Sequence, residues 1–234
     1  VSVSVFTPQQ LEHKAVTRID DLKYDIPNIT IQQNTATSSG AKIFLRGVGQ
    51  DESMFTADPA IAIYIDDVYI PRQNGAMFDL LDVERIEVLR GPQGTLYGRN
   101  ATGGAIRYIT RKPKGDERLL GEVTVGNFGR LDGRLLYNTR VGGQTDVSAA
   151  VMSRHRDGIL YNESTGKHVN DSSVLAARLG LSHPVGEAST LNLSLDALRE
   201  SSGPSFASPV RQVDGKTQPV LGNRQRLRIH GLLV

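Results

Sequence analysis

The stretch from Asp82 to Pro113, DVERIEVLRGPQGTLYGRNATGGAIRYITRKP, has the composition of two short strands joined by a glycine-rich connection. Val83 to Leu89 sets Val83, Ile86 and Val88 among Glu84 and Glu87 in an imperfect alternation, and Ala105 to Thr110 repeats the pattern with Ile106 and Ile109. Between them Gly91, Gly94, Gly98, Gly103 and Gly104 free the backbone where a Cβ would restrict it, and Pro92 fixes φ at the first bend. Such a loop invites a phosphate-binding reading. That chemistry needs G-x-x-x-x-G-K-[ST], or G-x-G-x-x-G opening a helix, so that backbone N–H groups converge on the anion. Here Arg99 and Asn100 follow Gly98 and a strand follows the loop, so nucleotide binding lacks both its motif and its context.

Composition narrows the remaining classes. An apolar fraction of 38% in 234 residues suffices for a core. A formal charge of +2, with both signs interspersed, gives neither a nucleic-acid footprint nor a polybasic membrane patch, so no nucleic-acid partner is expected. The absence of cysteine excludes a disulfide framework and thiolate metal sites and leaves the compartment open. No run of about 18 apolar residues exists, so no helix is expected to span a membrane, whereas a β-barrel needs no such run. The chain opens in VSVSVF without signal-peptide features and stops within the strand-like RLRIHGLLV, so it reads as a fragment.

Upstream of Asp82 the pattern is α+β: a small mixed sheet with short helices. Val1 to Phe6 alternates as a strand; Thr7, Pro8 and Gln10 form a T-x-x-Q capping box with proline at the first helical position. Thr17 to Asp20 repeats the signal and predicts a second short helix through Leu22, ended by Ile26 and Pro27. Ile29 and Ile31 alternate into a strand, Asn34 to Gly40 is a polar loop, and Ile43 to Leu45 resumes the sheet. Gln50 to Pro59 and Pro71 to Gly75 read as loops and Ala76 to Leu81 as a helical turn. Ile61 to Ile65 and Val68 to Ile70 form a hairpin about an Asp66-Asp67 turn.

Beyond Pro113 the period becomes two. Leu131 to Val141 places Leu131, Leu135, Tyr137 and Val141 opposite Asp132, Arg134, Asn138 and Arg140. Thr145 to Arg156, Ser172 to Ser182 and Ser189 to Arg199 follow suit, with Gly142-Gly143 and then Pro184 and Gly186 as short turns. Asp157 to Asp171 and Glu200 to Gln225 are long polar loops. With Glu122 to Gly126 first and Arg226 to Val234 last, about six strands of about ten residues alternate between short and long connections, as a transmembrane barrel requires. A soluble β-rich binding module also has one wet and one dry face, so alternation alone leaves both open.

LRGPQGTLYGRNATGGAIRYITRKP resembles the closing segment of the plug domain of TonB-dependent receptors, the active transporters of the Gram-negative outer membrane. IFLRGVG (Ile43 to Gly49) and IAIYIDDVYIPR (Ile61 to Arg72), at matching spacing, extend the resemblance over roughly the first half of the chain. It implies a plug over residues 1–114, with residues 115–234 as the first, incomplete strands of the antiparallel barrel. It also implies an extracellular ligand, a ferric siderophore by default with vitamin B12 or an oligosaccharide as alternatives, and contact with outer-membrane lipid. An inner-membrane energy-coupling protein, TonB, would pull on a segment, the TonB box, that is not among these residues.

No catalytic constellation appears. His13, His155, His168, His183 and His230 lack H-E-x-x-H spacing and no G-x-S-x-G elbow occurs, so no enzyme activity, cofactor or metal site is expected. Asp66 and Asp67 read as turn-formers. Arg46 and Arg90, each in an L-R-G setting after an apolar strand, project a guanidinium from a strand end. The resemblance implies that they dock the plug against acidic residues of the barrel wall; the competing reading is an internal bridge, Arg90 with Glu87 or Arg85 with Glu84. Gln50, Arg72, Gln73 and Asn74 lie in loops whose family counterparts reach the extracellular vestibule, where their donors and acceptors suit an oxygen-rich ligand.

Overall fold

A computed structural model describes residues 2–14, 16, 19–33, 40–50, 58–71, 81–162, 166–203, 210–213, 216–219 and 227–233. The chain divides into two compact units, Val1–Arg111 and Lys112–Val234.

The first unit contains β1 (Ser2–Phe6), α1 (Pro8–His13), a 3-10 helix (Ile19–Tyr24), β2 (Ile29–Gln33), β3 (Ala41–Leu45), β4 (Val48–Gly49), β5 (Ile61–Ile65), β6 (Val68–Ile70), β7 (Val83–Arg90), α2 (Gly94–Tyr97) and β8 (Gly104–Thr110). The capping box forms: the Thr7 N–H donates to Gln10 Oε1 at 3.0 Å and the Gln10 N–H to Thr7 Oγ1 at 3.4 Å. The second helix is of 3-10 type and runs to Tyr24; residues 17–18 of its expected start, like the 34–39 loop, most of the 50–59 loop and the expected turn at 76–80, lie outside the described residues.

Two sheets form where the sequence pattern suggested one. The five-stranded sheet has the order β1-β7-β8-β5-β6, and β2-β3-β4 form a separate antiparallel meander. Strand β3 closes that meander by pairing with its chain neighbours on both sides, Ile31↔Ile43 and Leu45↔Val48. The apolar faces of both sheets meet in one core: Ile61, Ile63, Ile86, Val88 and Ile106 with Ile29, Ile31, Ile43 and Leu45, and with Leu11, Ile19 and Leu22 from the helices. Each such side chain contributes about 1.5–3 kcal/mol on burial.

The organising stretch is a β7–β8 antiparallel pair, with a one-turn helix, α2, inside its connection. A register shift between Val83 and Arg85 accounts for the imperfect alternation there. The chain returns so closely that a Cβ on Gly104 (φ +150) would stand 2.3 Å from the Leu89 carbonyl oxygen. Asp66 (φ 47) and Asp67 (φ 69) form the expected tight turn between β5 and β6. The Asp66 carboxylate also accepts from the Thr110 N–H at 2.8 Å and its hydroxyl at 2.5 Å, tying the turn to the end of β8.

The second unit contains β9 (Arg118–Gly126), β10 (Arg130–Val141), β11 (Thr145–Arg156), β12 (Leu160–Asn162), β13 (Lys167–Val169), β14 (Ser172–Val185), β15 (Ser189–Ser202), β16 (Val210–Val213), β17 (Lys216–Pro219) and β18 (Leu227–Leu233). Six of them form one antiparallel up-and-down sheet, β9-β10-β11-β14-β15-β18, while β12–β13 and β16–β17 are hairpins within the two long connections. β9 starts earlier than the sequence pattern suggested, and Pro184 lies in β14 opposite Thr190, so the turn falls at 186–188.

Alternation assigns the two faces of this sheet. Leu119, Val123, Leu135, Val151, Leu179 and Leu193 share one face, with exposures from 41% to 73%. The other carries Asp132, Arg134, Asn138, Arg154, Arg178, Asp196 and Glu200. No helix among the described residues is long and apolar enough to cross a membrane, which does not bear on crossing by strands. An exposed apolar face of this extent with the charges behind it is the inverse of a soluble sandwich and matches a barrel wall facing lipid.

Candidate functional site

Arg46 and Arg90 come together at one corner of the first unit. Arg90 ends β7, where its Nη2 donates to Ser2 Oγ at 2.7 Å and its Nη1 to the Pro27 carbonyl at 3.4 Å. Arg46 directly follows the last residue of β3, at the strand end that its sequence setting implied. It takes the first position of the two-residue turn between β3 and β4, exposed, with φ 53 before Gly47 at φ 79. Its backbone N–H donates to the Asn28 carbonyl at 2.8 Å, so the Pro27-Asn28 segment holds both arginines. The Arg46 Nη1 reaches Gly91, where a Cβ would stand 3.8 Å from it.

Neither guanidinium makes an ion pair among the described residues, because the neighbouring carboxylates are engaged elsewhere. Glu87, the expected internal partner of Arg90, accepts from Arg85 Nε at 2.8 Å and Arg107 Nη1 at 2.7 Å. The Arg85–Glu84 bridge does form, at 3.2 Å. Two neighbouring cations without a carboxylate make this corner a ready acceptor of acidic groups, and the planar fork of arginine suits bidentate contact. Gln50 follows β4 and is half-buried; Arg72, Gln73 and Asn74 lie outside the described residues.

A second cluster, which the sequence pattern did not single out, lies on the other face of the five-stranded sheet. Tyr64 packs at 5.5 Å between ring centroids, in a tilted arrangement, against both Tyr69 and Tyr97, and its hydroxyl donates to the Tyr97 carbonyl at 2.5 Å. Asn100 Nδ2 donates to the Tyr69 hydroxyl at 2.7 Å, and the Arg107 guanidinium sits 5.8 Å from the Tyr97 ring centre. Burial, followed by the neighbouring Tyr69 and Tyr97, raises the Tyr64 phenol above its ordinary range. The signal available in sequence was Tyr64 and Tyr69 flanking the Asp-Asp turn, which puts them side by side across the hairpin.

In the second unit, Arg178 pairs with Asp196 at 3.1 Å, and Asp132 accepts from Arg130 at 2.7 Å with Arg154 at 3.8 Å. The Arg178–Asp196 and Arg154–Asp132 contacts run between neighbouring strands and support the register of the charged face, whereas Arg130 and Asp132 share β10. Among the described residues no three His, Asp or Glu side chains are placed to hold a metal ion.

Residues 1–105 match the family model of the TonB-dependent receptor plug domain. The chain is 32% identical over 169 residues to the pesticin receptor of Yersinia pestis, covering 71% of this chain and 24% of the relative. It is 25% identical over 225 residues to the catecholate siderophore receptor Fiu of Escherichia coli K12, covering 94% and 27%. The chain thus spans about a quarter of the length of these relatives. Among solved structures, the ferric yersiniabactin uptake receptor FyuA of Yersinia pestis superposes with a TM-score of 0.79 at 26% identity, over 88% of this chain and 32% of that one. The ferripyoverdine receptor of the outer membrane of Pseudomonas aeruginosa, at 18% identity and a TM-score of 0.75 over 94% of this chain and 28% of that one, shares the fold. The chain belongs to the TonB-dependent receptors of the Gram-negative outer membrane, and carries their plug domain with barrel strands after it.

Proposed function

We infer that the protein to which this chain belongs is a transport receptor, not an enzyme, that takes up a ferric siderophore across the outer membrane. The observation that carries this reading is the kind of relative that matches across both units: receptors named for catecholate siderophores and for ferric yersiniabactin align with 94% and 88% of the chain. In this reading ligand binding shifts the conformational population of the plug, and TonB then pulls on a segment of the receptor to open the path. Arg46 and Arg90 hold the plug against acidic residues of the barrel wall, a role supported by their shared corner and by the lack of a carboxylate partner among the described residues. Contacts of this polar, hydrated kind exchange with water at modest net cost, which suits a plug that must move. Gln50, Arg72, Gln73 and Asn74 are assigned to the ligand side from the resemblance.

The test is uptake of radioactive iron by iron-starved cells whose only siderophore receptor is the full-length protein. Accumulation from one or more ferric siderophores, abolished by deleting TonB, is the expected result. The vitamin B12 transporter BtuB of Vibrio vulnificus is 29% identical over 129 residues, so labelled cobalamin is the comparison substrate. Uptake of cobalamin with no ferric siderophore transported overturns the cargo assignment.

A further inference from the structure

The segment that leads into β9 is held against the six-stranded sheet. Residues from Lys112 onward belong to the second unit, and two of them rest on the charged face of that sheet. Pro113 is buried against Gly180 of β14: a Cβ at that glycine would stand 3.1 Å from Pro113 Cγ and 2.5 Å from Ser148 Oγ, so the proline ring takes the space a side chain would fill. Ser148 is the β11 residue directly opposite Gly180, on the same face. Gly115, at φ +68, lies against the next pair on this face toward the short turn at 142–144, where a Cβ would overlap the Asp146 carboxylate and the Arg140 guanidinium. That pair is fixed in its own right. Arg140 of β10 and Asp146 of β11 are direct partners, bonded through Nε at 2.6 Å and through Nη2 at 3.3 Å.

These contacts make residues 112–117 a strap across the sheet. It meets β14 first, passes over the β10–β11 bridge and enters β9 at Arg118, opposite Asn138. Upstream, the chain is held to the first unit up to Arg111. Thr110 ends β8 with its N–H and hydroxyl on the Asp66 carboxylate. The Arg111 N–H donates to the Asp82 carbonyl at 2.9 Å, and its Nε lies 3.5 Å from the buried Asp82 carboxylate. Exposed Lys112 alone separates the last residue fixed on one side from the first fixed on the other. It precedes proline, which confines its backbone to extended conformations. Two peptide steps from Arg111 to Pro113 span at most about 7 Å.

We propose that the strap is a fixed anchor of the transport cycle: Pro113 in the Gly180 slot, with Gly115 over the Arg140–Asp146 bridge, keeps the end of β8 tied to the wall while the elements before β8 move. The proposal rests on the reading of this chain as a plug followed by barrel wall, and on no particular cargo. A leash of one residue lets the end of β8 shift by only a few ångströms unless Pro113 leaves its slot or Arg111 leaves Asp82. Opening is then left to elements that precede β8. Release of the strap would free residues 112–117 together and lengthen the reach from Arg111 to Arg118 to about 25 Å, enough for the whole plug to drift from its place.

The experiment uses the full-length receptor, and neither readout needs a cargo. Pro113→Cys with Gly180→Cys, in a stretch that has no cysteine of its own, should oxidise to a disulfide that locks the strap. Drawn out of a bilayer from its N-terminus by force spectroscopy, the plug of the wild type should reach the same full extension as that of the locked form. Gly180→Val, which fills the slot, should release residues 113–117 as well and add about 18 Å. In cells the same variant should admit vancomycin at least about fivefold faster than the wild type, as overpacking of a seated contact predicts. Gly133→Val, an equal enlargement at a glycine with open space around it, should change neither readout. Heat-dependent mobility in detergent gels checks that every barrel folds. A wild type that extends further than the locked form shows the strap giving way under load and overturns the proposal. So do thiols that fail to oxidise, or a Gly180→Val receptor with wild-type extension and wild-type vancomycin entry. None of these outcomes touches the siderophore reading, which uptake decides separately.

Discussion

Arg90 directs two donors at Ser2 and the Pro27 carbonyl, whereas Arg46 offers its guanidinium to solvent from a hairpin turn, so the two arginines of the shared corner respond differently to removal. Arg90→Ala should destabilise residues 1–111 by about 1–2 kcal/mol, the usual worth of charge-assisted bonds that are partly solvated. Arg46→Ala should stay within about 0.5 kcal/mol, as a surface change. Urea unfolding of that unit measures both. In the full-length receptor the order changes: if each guanidinium faces a wall carboxylate, alanine leaves that carboxylate uncompensated at about 3–5 kcal/mol. Uptake should then fall, and large antibiotics should enter, before ligand affinity changes. Unaltered uptake and permeability in Arg46→Ala would remove its docking role. Tyr108 gives a pH test at the same scale. It is 2% exposed in the plug core, and burial, with Asp20 as a lesser cause, pushes its phenol far above the usual value of about 10. Because the unfolded chain releases this proton first, stability is full below pH about 10 and falls by about 1.4 kcal/mol per unit above it. Tyr108→Phe should flatten that alkaline slope in pH-dependent denaturation; an unchanged slope would assign it to other groups.

Between β7 and β8 the glycines differ in what they do, and substitution separates them. A Cβ at Gly104 meets the Leu89 carbonyl oxygen at 2.3 Å and Leu45 Cδ1 at 2.7 Å, at a backbone angle that L residues avoid. Gly104→Ala should therefore cost about 3 kcal/mol or more in thermal or urea unfolding. Gly94, in α2, has open space around its Cα, so Gly94→Ala should be neutral or stabilising by up to about 1 kcal/mol. If both variants unfold alike, close approach is not what the glycine at 104 provides. The same elements show why some features were legible in sequence. Thr7 with Gln10, and Asp66 with Asp67, act through neighbours a few residues away, so local chemistry determined them. The split into two sheets did not show, because alternation at Ile43 marks a strand without naming its partner. The tight turn that begins at Arg46 did not show for a related reason: β4 is only two residues long, too short to leave a periodic trace. The shared corner of Arg46 and Arg90, and the addition of Tyr97 to the locally paired Tyr64 and Tyr69, depend on long-range pairing that no local pattern carries.

At the scale of the molecule, the two units place their apolar surface in opposite ways. The first buries Ile19, Leu22, Ile43, Leu45, Ile61 and Ile86 completely, and its residues 1–111 alone should remain soluble in buffer. The second turns Leu119, Val123, Val125, Leu131, Leu179 and Leu193 outward, each more than half exposed. Six strands cannot close a barrel of the 22-strand class, so an isolated sheet of this kind keeps two free edges as well as its apolar face. Both features drive association in water, the edges through unpaired N–H and C=O groups and the face through apolar contact. The 234-residue chain should accordingly aggregate without detergent and become dispersed with it, as light scattering after size-exclusion chromatography would report. Solubility of residues 112–234 with insolubility of residues 1–111 would reverse the assignment of the two units. A monodisperse monomer of the whole chain at high concentration in plain buffer would mean that the leucine face is covered by protein, and the barrel-wall reading of that sheet would have to be abandoned.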